Sequence, residues 1–124
     1  SLYAALAGLV LARQNCIESG NLEWLERHTD RLESLVKAGL PSGSGFDAGT
    51  TLDLDASTPY KLVFETAFHH MDDHGGYDGW THHKVTVTPS LHSGIDVKIS
   101  GRDRNAIKAY IGEEFYAALT APER

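Results

Sequence analysis

The chain has 124 residues, 17 acidic against 11 basic, for a formal charge of −6. That length holds one domain with one core, spanning residues 1–124. The acid excess speaks against charge-driven binding to a nucleic acid polymer, which depends on Lys and Arg neutralising phosphates. The single cysteine, Cys16, has no partner for an internal disulfide, which suits a reducing cytoplasm. Leu2 to Leu11 is apolar but short against the roughly 20 residues of a membrane span. It also lacks the basic flank of a signal peptide, so no membrane association is expected.

The first element reads as a helix, with Leu2, Tyr3, Leu6, Leu9, Val10, Cys16 and Ile17 recurring at three- and four-residue steps and Arg13 interrupting the stripe. Gly20 suits the position just past its C-terminus, and Asn21 suits the N-cap of a second helix. That helix places Leu25, His28, Leu32, Leu35 and Val36 on one face, pairs Glu23 with Arg27 and Glu33 with Lys37 one turn apart, and stops before Pro41. The two helices make an antiparallel hairpin.

Beyond Pro41 the period changes to two. Leu52 and Leu54 alternate with Asp53 and Asp55. Leu62, Phe64, Thr66 and Phe68 alternate with Val63, Glu65, Ala67 and His69. Val85 and Val87 follow the same rule, as do Ile95, Val97 and Ile99. Four such runs with one apolar face predict an antiparallel sheet that needs a covering layer. Ile107, Tyr110, Ile111, Phe115, Ala118 and Leu119 supply it as a C-terminal helix, capped by Asp103 or Asn105. The fold class is α+β in the order ααββββα, an N-terminal helix hairpin, a four-stranded antiparallel sheet and a C-terminal helix packed on that sheet.

Recognition chemistry concentrates in three places. Five of the seven histidines fall between His69 and His83, among three aspartates, Tyr77 and Trp80. The spacing matches no strong zinc pattern, so neither a metal nor another cofactor is expected. Tyr77-Asp78-Gly79-Trp80 reads as a turn carrying two rings at a loop tip, where stacking on a base is worth about 1–3 kcal/mol. His74 and Asp78 then fill a long hairpin loop, and His82 and Lys84 project from one strand face. His69, His70, Asp72, Tyr77, Trp80 and His82 are the candidates here. The second place, Pro41 to Thr51, is rich in glycine and hydroxyl residues, the raw material of an anion-binding loop or of a flexible linker. It lacks the Gly-Lys-Ser/Thr of a phosphate-binding loop. The third is Ser100 to Lys108, where Arg102, Arg104, Asn105 and Lys108 surround a helix start, a setting that favours anions. The alternative there is structural pairing of the arginines with Asp53, Asp72 or Asp73. His28 reads as a core or interface histidine. No serine sits in a nucleophile elbow, so a binding protein is expected before an enzyme.

Leu40-Pro41-Ser42-Gly43-Ser44-Gly45-Phe46-Asp47, Phe68-His69-His70, Tyr77-Asp78-Gly79-Trp80-Thr81, Pro89-Ser90-Leu91 and Gly101-Arg102-Asp103-Arg104-Asn105 together resemble a family of small proteins encoded by phages and prophages. More distantly, size and layout resemble the anti-Thoeris sponges, phage proteins that sequester immune signals of the cyclic ADP-ribose type, some of which also bind cyclic oligonucleotides. The resemblance implies a non-catalytic anti-defence protein of the host cell cytoplasm, a homo-oligomer built through the N-terminal helix hairpin, with a small nucleotide as its ligand. It carries no residue assignment with it. Two other functions fit the residues. One is a metal-dependent hydrolase using His69, His70, Asp72, His74 and His82. The other is a protein-binding inhibitor of a host defence complex, working through its acidic helical face.

Overall fold

The computed structural model describes residues 1–41, 49–71 and 77–122, and at 69–71 and 77–80 the backbone alone. Helix α1 (Leu2–Ser19) starts on Ser1, whose hydroxyl accepts the Ala4 N–H, and ends at Gly20 with φ 72°. Only a residue without Cβ holds that left-handed conformation at little cost. Asn21 then caps α2 (Leu22–Gly39) by accepting the Trp24 N–H, so two adjacent residues end one helix and begin the next. Arg13, which interrupts the apolar stripe of α1, donates from Nε to Thr29 Oγ1 at 3.0 Å and ties the helices together. The Glu23–Arg27 pair forms at 2.9 Å, while no ion pair joins Glu33 and Lys37.

Strands β1 (Thr50–Leu52), β2 (Leu62–Met71), β3 (Tyr77–Ser90) and β4 (Gly94–Ser100) form an antiparallel meander in the order β1-β2-β3-β4. Helix α3 (Asn105–Thr120) follows. The α+β architecture and its ααββββα order are those the sequence periods predict. Register aligns Leu52, Phe64, Val85 and Ile99 in one rung of the inner face. Val87, Ile95, Leu62 and the helical residues Leu6, Leu32, Ile111, Phe115 and Leu119 complete the core against them. The Phe64 and Phe115 rings meet at 5.8 Å and 55°, a tilted aromatic contact at the centre of the layer.

Four local expectations are corrected. Leu54 lies outside β1, because the Asp53 carboxylate accepts the Ala56 N–H and turns the chain after Leu52. Tyr110 is 56 % exposed and Ile17 53 %. Each lies at the margin of its stripe, beyond what the neighbouring layer covers. Tyr77, Asp78, Gly79 and Trp80 belong to strand β3 and not to a turn, because the pairing with β2 continues through Phe68↔Thr81, His69↔Trp80 and His70↔Gly79 to Met71↔Tyr77, with a register shift at its end. Cap residue of α3 is Arg104, without a side-chain hydrogen bond, and neither Asp103 nor Asn105 fills that role. His28 is half-buried with its ring 5.6 Å from that of Trp24. Among the described residues no helix is long and apolar enough to cross a membrane.

The Tyr3 hydroxyl is buried with no hydrogen-bond partner, and burial pushes its phenol up from the ordinary value. A phenol held up in the folded state lends full stability below its unfolded value, near 10, and loses it as pH rises through the folded value. Tyr3→Phe is therefore expected to be neutral or stabilising by up to about 1 kcal/mol near pH 7, and to flatten the alkaline fall in stability. Urea melts across pH 8 to 11 check both.

Candidate functional site

One rung beyond Leu52–Phe64–Val85–Ile99 the inner face of the sheet turns polar. Register pairs Thr50 with Thr66 and Thr66 with His83. Thr66 is 3 % exposed and His83 2 %. The Thr50 hydroxyl donates to the Pro41 carbonyl, which uses its one proton. At the 2.8 Å Thr50–Thr66 contact the donor is then Thr66. A hydroxyl relay thus closes the β1 side of this rung, and its third member is an imidazole.

His83 Nε2 lies 2.8 Å from Asp103 Oδ2, with the two side chains 0 % and 10 % exposed. The contact is at ion-pair distance without hydrogen-bond alignment, and Nδ1 has no partner. A carboxylate only accepts, so Nε2 is the ring nitrogen that faces Asp103 as a donor. Phe68 packs edge-on to the ring at 6.1 Å and 79°. Gly101 passes so close that a Cβ there would lie 2.6 Å from His83 Cδ2 and 2.9 Å from the His82 carbonyl, and its φ is +144°. Only glycine allows β4 to turn into α3 across the histidine.

The side chains on either side of Asp103 go the other way. Arg102 and Arg104 are exposed, and neither makes an ion pair with a described carboxylate. Asp53, one proposed partner for them, is engaged with Ala56 instead. At the start of α3 the Arg104 carbonyl accepts from the Ile107 and Lys108 N–H groups. The cap residue's own side chain makes no hydrogen bond to the first turn, a setting in which helix N–H groups can attract an anion. At the same end of the sheet, Glu65, His82, His83, Lys84, Ser100 and Gly101 line a shallow hollow of about 340 Å³. That is near the lower limit for a small-molecule site.

Of the residues predicted from sequence, His82 is exposed on that hollow, as is Lys84. Arg102, Arg104 and Asn105 are exposed at the junction beside it. The histidine-rich segment and the arginine-rich junction therefore meet, joined through Gly101 and the His83–Asp103 pair. His69 and His70 are β2 residues, and Tyr77 and Trp80 β3 residues, in cross-strand register further along the same ladder. Lys108 faces elsewhere, half-buried in the groove between α3 and β4. Asp72, Asp73 and His74 lie outside the described residues, as do 42–48 of the glycine-rich stretch. Among the described residues no group of three or more His, Cys, Asp or Glu side chains is placed to hold a metal ion. The residue that sequence reasoning passed over is His83. Its signal was the alternation itself, since a strand that faces Val85 and Val87 inward also faces His83 inward.

Comparison with protein-family models, with characterised proteins and with solved structures finds no match to this chain.

Gly101→Ala is expected to cost about 1–3 kcal/mol through backbone strain and the His83 clash. Asp103→Ala is expected to cost a similar amount by leaving the buried imidazole without its anionic neighbour. Chemical denaturation measures both, and a loss below about 0.5 kcal/mol in each would show that the junction is not held as described.

Proposed function

We propose that this domain is a non-catalytic binding protein that takes a small phosphate-bearing nucleotide at the end of the sheet and holds it. The carrying observation is the division of labour at the β4–α3 junction. Asp103 is turned inward to His83, which leaves Arg102 and Arg104 exposed beside an uncapped helix start with no described carboxylate to neutralise them. In a chain of net charge −6 this is a local reversal of sign. Guanidinium groups recognise phosphate oxygens in pairs, and helix N–H groups add to the attraction. The hollow at His82 and Lys84 gives the rest of the ligand a place against the sheet.

The resemblance to phage signal-sequestering proteins narrows the ligand class to cyclic nucleotides of the cyclic ADP-ribose type, possession of which would silence a host defence. Sequestration requires slow release and no reaction. What supports that role is that the His83 side chain is buried behind Gly101 and paired with Asp103, while His82 and Lys84 line the hollow itself.

Titration calorimetry with a cyclic ADP-ribose isomer, followed by mass analysis of the ligand recovered after denaturation, tests the proposal. Expected are binding that weakens as salt rises, an affinity loss of about 10- to 100-fold for Arg102→Ala with Arg104→Ala, and ligand recovered intact. Binding untouched by the double substitution would move the site elsewhere. Ligand recovered in pieces would make the protein an enzyme.

A further inference from the structure

We infer that the open edge of β4 is a self-pairing surface, on which a second copy of this chain adds its own β4 antiparallel to form one eight-stranded sheet. β4 is an outer strand of the meander, and among the described residues nothing pairs with its free side. Two observations identify the backbone groups that face outward. Ile95 sits opposite Pro89, which has no N–H, so that pair is not a hydrogen-bonded one. The Ile95 carbonyl instead accepts from the Ser93 hydroxyl at 2.7 Å. By alternation Ile95, Val97 and Ile99 present their N–H and C=O groups to the open edge.

The side chains of Gly94–Ser100 are complementary to themselves about Val97. An antiparallel copy centred there places Ile95 against Ile99 of the second copy, Val97 against Val97, and Asp96 against Lys98. The hydrogen-bonded pairs are then those of Ile95, Val97 and Ile99, whose groups are outward. Asp96 and Lys98 fall at the non-hydrogen-bonded positions, where cross-strand side chains come closest. Both are exposed on the outer face, and within the chain each sits opposite an uncharged threonine, Thr88 and Thr86. Their charges are therefore unanswered by the strand that β4 already has.

The inner face agrees. Val97 and Ile99 are only half-buried, whereas Val85 and Val87 on the neighbouring strand are fully covered. Beside them runs a groove of about 610 Å³ between β4 and α3, kept open by Ala109 and Gly112. A two-fold axis normal to the sheet through the Val97 pair brings the second copy's Ile95, Val97 and Ile99 to this side. This seven-residue element has neither the proline nor the short length that blunts many edges, and its charges, Asp96 and Lys98, are opposite in sign and so match an antiparallel copy.

Sedimentation equilibrium of the full chain, run at micromolar to submillimolar concentration, tests the inference through a charge cycle. Asp96→Lys and Lys98→Asp each put like charges opposite one another twice in the symmetric pair, and each is expected to weaken the dimer at least about tenfold. The double exchange restores opposite charges and is expected to return affinity to within about threefold of the parent. Circular dichroism of each variant should match the parent, since both residues are exposed. A monomer at every concentration overturns the inference and leaves the edge to an extended segment of some other protein. A dimer indifferent to the single reversals, or a double exchange as weak as the singles, overturns it in favour of another surface, such as the helix hairpin.

Discussion

An antiparallel sheet with one apolar face has to be covered, and in this domain the cover comes back over the sheet directly from its last strand. Phe115 of α3 against Phe64 of β2 is where the two layers lock. Only Gly101 to Arg104 separate the end of β4 from the start of α3. To seat Phe115 on Phe64 within so short a link, the chain must reverse sharply over the end of β3, and the crossing point is Gly101, with φ of +144° and no room for a Cβ. Core packing thus dictates the shape of the junction, and the junction in turn delivers Asp103 to His83.

The polar rung Thr50–Thr66–His83 belongs to the same geometry. It lies one rung past the aromatic contact on the same inner face, with Thr66 and His83 still buried. Burying an imidazole and two hydroxyls there carries a desolvation cost unless each finds a partner. The threonines satisfy one another and the Pro41 carbonyl, and Asp103 answers one edge of the imidazole. With Asp103 drawn to His83, the cap position of α3 falls to Arg104, whose side chain makes no capping hydrogen bond. A requirement of the fold thus leaves Arg102 and Arg104 exposed together in a protein of acidic balance.

A meander that does not close has two edges, and the two are handled differently. β1 is three residues long and lies against α2. β4 is seven residues long, carries its apolar residues and opposite charges in a self-complementary order, and borders an open groove. Short edges resist pairing with other chains and long regular ones invite it. The junction and the open edge share β4 but draw on different side chains, so the proposed ligand capture and the proposed self-pairing can be tested independently of one another.

The sequence by itself determined the element order, the helix hairpin turned at Gly20-Asn21, the inward parity of Phe64, Val85, Val87 and Ile95, and the α3 stripe apart from Tyr110. These depend on spacing within one segment, which the chain states directly. It also located the histidine-rich and arginine-rich stretches, without showing that they touch. Glycine and aspartate favour a turn at Tyr77 to Trp80 locally, and cross-strand pairing with His69 and His70 overrides that preference. Position before a helix favours Asp103 or Asn105 as its cap, and a histidine twenty residues earlier draws Asp103 away instead. The pairing of His83 with Asp103, the exposure of Arg102 and Arg104, and the open edge of β4 were decided only by tertiary structure. Each depends on which distant segment arrives alongside, a matter settled by packing the whole core and not by any window of sequence.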